Sequence, residues 1–79
     1  MMTRQEFKGW YDRLWMCFDN EVTMDKIVQT IRLEVNEAEI PFFVDHLAQA
    51  VKDLQESKQG LGLRRADDFR NLIAALSLP

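Results

Sequence analysis

The chain has little of what most alternative architectures depend on. A single cysteine, Cys17, in 79 residues leaves no internal disulfide, which excludes a disulfide-stapled secreted scaffold and points to a reducing cytoplasm. Three glycines and two prolines are too few for the many turns of an all-β chain. No apolar run approaches the roughly 18 residues of a membrane span. Arg4 and Lys8 are followed by no apolar h-region, so no secretory signal is expected. The net charge of −3 lacks the basic excess of a general nucleic-acid binder. There is one histidine, His46, and no internal repeat or low-complexity tract.

What is present is apolar bulk: 47% hydrophobic residues, with two Trp, five Phe and four Met, which argues against disorder. Residues 1–79 read as a single helical domain close to the size at which one core is only just sufficient. Charge is uneven. Residues 1–40 hold five Lys/Arg against eight Asp/Glu, whereas residues 41–79 hold five of each.

The apolar positions recur with helical period, and the longest such stretch is central. Ile40, Phe43, Val44, Leu47, Ala50, Val51 and Leu54 stack on one side of a helix over about 41–58. Pro41 suits its first turn and biases Ile40 away from helical angles. Gly60 is available as a left-handed C-cap. Thr3-x-x-Glu6 is a capping box opening a first helix over 4–18, with Phe7, Trp10, Tyr11, Leu14, Cys17 and Phe18 on one face. Thr23 caps a second helix over 24–36, whose stripe is Met24, Ile27, Val28, Ile31 and Val35. Residues 30–35 also alternate with period two, but no second alternating stretch offers a strand partner. Gln59-Gly60-Leu61-Gly62 is expected to be a flexible reversal. Leu63, Ala66, Phe69, Leu72, Ile73 and Leu76 mark a fourth helix over 64–76, ending in Ser77-Leu78-Pro79. The expected fold is an all-α compact bundle of four amphipathic helices, either a regular up-and-down bundle or an irregular orthogonal one.

Chemistry-bearing patterns fail one by one. Asp19, Glu21, Thr23 and Asp25 have EF-hand spacing, but Met24 stands where the loop needs Gly and Thr30 where it needs Glu. His46 has no second histidine, Gly-rich elbow or tuned nucleophile beside it, so a structural role is expected. Cys17 and His46 lack further ligands at metal spacing, so no metal and no cofactor is expected. Arg64, Arg65 and Arg70 form the one basic cluster. Phosphate contacts are conceivable there, but Asp67 and Asp68 favour carboxylate pairing on a solvated face. The aromatic residues of the first helix lack the basic groove of a base-stacking platform.

The remaining feature is apolar surface. Met16, Leu33 and Phe42 fall off the stripes of their own helices, and Trp15 borders one. Several large exposed apolar residues in so small a domain suggest a surface covered by another chain. The expectation is a non-enzymatic binding protein, an inhibitor, adaptor or assembly factor, anchored by Trp15, Met16, Leu33 and Phe42 on a protein partner or on a second copy. Asp12, Asp19, Glu21, Asp25, Glu34, Glu37 and Glu39 would steer it to a basic surface. A dimeric nucleic-acid-binding regulator using the arginine cluster is the alternative. In general make-up, though by no motif, the chain resembles small accessory proteins of phages, prophages and other mobile elements.

Overall fold

The computed structural model describes residues 1–78; Pro79, the expected end of the last segment, lies outside the described residues. The chain is an all-α bundle of four helices: α1 Arg4–Asp19, α2 Met24–Glu34, α3 Ile40–Ser57 and α4 Gly60–Leu76, with a 3-10 turn, Glu37–Glu39, leading into α3.

α1 begins where the capping box places it. Thr3 Oγ1 accepts from the Glu6 N–H at 3.1 Å, and the Glu6 carboxylate accepts from the Thr3 N–H at 3.2 Å. Two donors without intrahelical partners are satisfied reciprocally. α1 ends as Asn20 donates its side-chain amide to the Met16 carbonyl at 2.7 Å and Glu21 takes a left-handed conformation at φ 57°. Thr23 caps α2 by accepting from the Lys26 N–H at 3.4 Å.

Residues 30–35 are helical through Glu34, and no strand exists among the described residues. The helix stops two residues before the expected bound. Val35 turns extended, at φ −100° and ψ 126°, and the Asn36 side chain accepts from the Ala38 N–H at 3.0 Å to start the 3-10 turn. A short polar side chain here captures a backbone donor that a continuing helix would have used.

Two expectations at the ends of α3 are corrected. Ile40 is helical, at φ −56° and ψ −43°, although it precedes Pro41. The 3-10 turn delivers it in helical geometry, and the preference against that conformation before proline is a bias that such a context outweighs. At the other end the left-handed cap is Lys58, at φ 54°, and not Gly60. Lys58 and the extended Gln59 complete the reversal, so Gly60-Leu61-Gly62 form the first turn of α4 instead of a flexible loop. Arg64 and Arg65 consequently lie in the second turn and not at the helix start. A Cβ added to Gly62 would stand 3.0 Å from Ser57 Oγ and 3.5 Å from the Leu54 carbonyl oxygen. A side chain larger than hydrogen at Gly62 would therefore crowd the end of α3, a use of glycine that requires no special backbone angle.

One buried cluster draws on all four helices. Phe43 and Leu47 of α3 and Phe69 and Leu72 of α4 are fully excluded from solvent, and α3 with α4 makes the most extensive helix pair. α2 packs on α4, and α1 lies across both α3 and α4. α1 and α2, though consecutive, are not among the closely packed pairs, so the arrangement is irregular and not up-and-down. The α1 aromatics knit the layers. Phe43 receives Phe7 and Trp10 edge-on, at 5.7 and 5.5 Å. Phe69 takes Tyr11 stacked and Phe18 edge-on, each at 5.3 Å. Leu63, expected on the α4 stripe, is instead exposed. The close approach at Gly62 and the burial of Arg65, Ala66 and Phe69 turn it outward. Among the described residues no helix is long and apolar enough to cross a membrane.

Candidate functional site

The four expected anchor residues differ in exposure. Met16 is 61% and Leu33 87% exposed. Each stands two positions beyond a buried residue, Leu14 and Ile31, which on a helix is a rotation of about 200°, so both point directly away from the core. Trp15 is half-buried, packed against the core, tilted against Tyr11 at 5.8 Å and covered by the Arg65 guanidinium at 5.3 Å. Phe42 lies on the edge of α3, one turn before His46, and is only just exposed.

Three of the seven acidic positions have internal partners. The Glu34 carboxylate accepts hydrogen bonds from both terminal guanidinium nitrogens of Arg13, at 3.0 and 2.9 Å, while that guanidinium lies 4.2 Å from the Trp10 ring centroid. The hydrogen bonds from Arg13 hold the Glu34 carboxyl below the usual carboxylate range. Glu39 pairs with the N-terminal ammonium at 2.7 Å, and Asp19 pairs with Arg65. Asp12, Glu21, Asp25 and Glu37 are exposed and have no ion pair among the described residues.

The arginine cluster is internally engaged as well. Arg65 is buried, and besides Asp19 it donates to Asp68 at 2.9 Å. Burial pulls its pKa down, but the hydrogen bonds to Asp68 and Asp19 outweigh that and leave it above the ordinary arginine value. Arg70 pairs with Asp67 one turn back. Of the three, Arg64 alone has no ion pair among the described residues.

A concavity of about 770 Å³ lies elsewhere, between α1 and α3. Arg4, Lys8 and Tyr11, at helical spacing along α1, form one wall; His46, Gln49 and Asp53 of α3 form the other. Phe7 and Ala50 are the nearly buried floor, and Leu54 closes one end. The small side chain of Ala50, in a stripe otherwise made of large residues, is what leaves the space open. His46 is locked in place: its ring stacks on Phe7 at 5.0 Å, and Nε2 lies 3.2 Å from the Met2 carbonyl oxygen. Burial, and after it the charges of Asp12 and Asp53, push the Tyr11 hydroxyl above its ordinary pKa. Asp53 accepts from the Gln49 amide at 3.0 Å. Arg4 and Lys8 are exposed, with no ion pair among the described residues.

This arrangement has a hydrophobic floor and charged borders, the composition of a binding surface. Among the described residues no three of His, Cys, Asp and Glu converge as metal ligands. None of Trp15, Met16, Leu33 and Phe42 lines the groove. A signal for the groove was present in Ala50, the one small residue amid the central stripe, and in the polar strip His46, Gln49 and Asp53 beside it. Neither says which helix lies opposite. Compared with known protein families, with curated proteins and with solved structures, the chain matches none.

Proposed function

We propose that this chain is a small non-catalytic helical module that works by binding another protein, as an inhibitor, adaptor or assembly factor, in the manner of phage and mobile-element accessory proteins. The observation that carries this reading is the open α1–α3 groove, with Phe7 and Ala50 at its floor and Tyr11, His46 and Leu54 around it. A concavity of this size, mostly apolar with a few polar groups at its margin, is the kind of surface proteins use for recognition. Asp12, Glu21, Asp25 and Glu37, exposed and without ion pairs among the described residues, supply long-range steering toward a basic region of the partner. Free, half-buried Cys17 supports a reducing, cytoplasmic setting. The nucleic-acid alternative draws less support, since Arg65 and Arg70 already spend their charge on Asp19, Asp68 and Asp67.

The test is a quantitative pull-down from source lysate with three forms of the chain. A partner retained by Met16→Ser/Leu33→Ser but lost on Ala50→Trp, which fills the groove, is the expected result. A partner lost with Met16 and Leu33 instead would move the site to the outward faces of α1 and α2. Absence of any partner, with DNA binding that weakens steeply as salt rises, would refute the reading.

A further inference from the structure

We infer that the α1–α3 groove receives an amphipathic α-helix of a partner protein, carrying acidic side chains along the border that meets Arg4 and Lys8. The inference rests on the reading of the groove as a protein-binding site and names the chemistry of its occupant.

The backbone of the occupant decides its conformation. Both walls are α-helices whose N–H and C=O groups, beyond the first turn of α1, are used internally, and no strand edge exists among the described residues. An extended peptide laid here would have its own backbone groups desolvated without partners, at a cost comparable to lost hydrogen bonds. A helix brings those groups already paired and offers one apolar stripe. Length agrees: Arg4 to Tyr11 and His46 to Leu54 each span about 11–12 Å at 1.5 Å per residue, which is two turns of helix and room for anchors at i, i+4 and i+7.

The chain itself does not supply the occupant. α1, α2, α3 and α4 each turn an apolar face into the common core, leaving no spare amphipathic helix among the described residues. A second copy presenting the same surface would set one concavity against another and enclose a void, and close packing is what stabilises interfaces. A second copy offering a different, convex surface would make a head-to-tail contact, which leads to rings or open chains.

Charge fixes the orientation. Arg4 and Lys8 stand one turn apart on the α1 border, exposed and without ion pairs among the described residues. Across the groove Asp53 has only the Gln49 amide. A helix with Glu or Asp on the α1 side and Lys, Arg or Gln on the α3 side matches both borders in one orientation and meets like charge in the other.

The experiment uses the full chain and two synthetic 16-residue peptides. Both carry Leu at i, i+4 and i+7; one has Glu on one border and Lys on the other, and its twin has the two charges exchanged in relation to the helix direction. Peptide affinity is read by fluorescence anisotropy at low and high salt, and the site by amide shifts. The expected result is preference for one peptide, shifts at α1 and α3, and a loss of about tenfold with Arg4→Glu/Lys8→Glu at low salt. That double variant should then prefer the twin, an exchange that mere unfolding cannot produce. Both peptides binding the groove equally, with no response to the double variant, would overturn the charged-helix inference while leaving the groove as a binding site. Shifts outside α1 and α3, or no binding to the groove in either arm, would overturn both. A concentration-dependent dimer abolished by Ala50→Trp would make a second copy the occupant and overturn the inference.

Discussion

Arg65 separates two explanations of a buried charge, and its substitutions give different magnitudes under each. Its side chain is 8% exposed, against 44% for Asp19 and 33% for Asp68. The carboxylates are wet enough that each pair is worth only about 0.2–1 kcal/mol, and on losing Arg65 they return to water. The stem and guanidinium do more by packing across Trp15 and Phe18. Arg65→Ala removes two buried methylenes, at roughly 0.8 kcal/mol each, and a cation–π contact worth about 0.5–1 kcal/mol. With the two pairs, the loss comes to about 3 kcal/mol. Arg65→Met keeps most of the stem, exchanges the cation–π contact for a sulfur–aromatic one of similar size, and removes a charge whose burial was costly. It should lie within about 1 kcal/mol of wild type. For a domain of this size 1 kcal/mol moves Tm by about 4–8 °C, so thermal unfolding followed by far-ultraviolet circular dichroism resolves the two, with urea titration to check that the m-value is unchanged. If Arg65→Met proves as damaging as Arg65→Ala, the ion pairs and not the packing hold α4 against α1, and the argument from exposure fails.

Further expectations follow from burial, space and charge. Leu47→Ala, at a fully excluded position, should cost about 2–5 kcal/mol, while Leu33→Ser on the open side of α2 should stay within about 0.5 kcal/mol; urea denaturation reads both. Gly9→Ala meets nothing within 4 Å and should gain up to about 1 kcal/mol from helix propensity. Gly62→Ala should gain less or lose, because Ser57 must yield, and the deficit should shrink in a Ser57→Ala background. The single tyrosine allows a clean alkaline titration at 295 nm: burial keeps Tyr11 protonated, so its midpoint should lie above about 10. A folded pKa raised in this way makes a contribution to stability that is complete below the unfolded value and is lost as pH rises through the folded one. Glu34 runs oppositely. Its depressed pKa makes the Arg13 contribution present above the unfolded carboxylate range and lost as pH falls through the folded value, so the acid side of the stability profile should flatten in Glu34→Gln.

Local rules carried much of the architecture. The capping box at Thr3 and Glu6, the cap at Thr23 and the stripes through Phe7, Ile27, Leu47 and Phe69 depend on neighbours three or four residues away, and those distances are written in the chain. Where local signals competed, context decided. Gly60 was available for a left-handed cap, yet Lys58 takes it, because beginning α4 at Gly60 lets Gly62 seat against Leu54 and Ser57. Ile40 is helical before proline because a 3-10 turn leads into it. The candidate site was the least legible part. Arg65 reads as a surface cation until Asp19, 46 positions away, is brought beside it, and Trp15 reads as spare until Arg65 covers it. The groove exists only because α1 packs beside α3, a relation between residues about 40 apart that periodicity on either helix does not encode. Most of the buried stripe of each helix was legible in the chain, since it follows from spacing along one axis, with Leu63 and Arg65 as the exceptions. Which helices meet, and so that half-buried Tyr11 and His46 and buried Ala50 border an open space, depends on packing between segments distant in the chain.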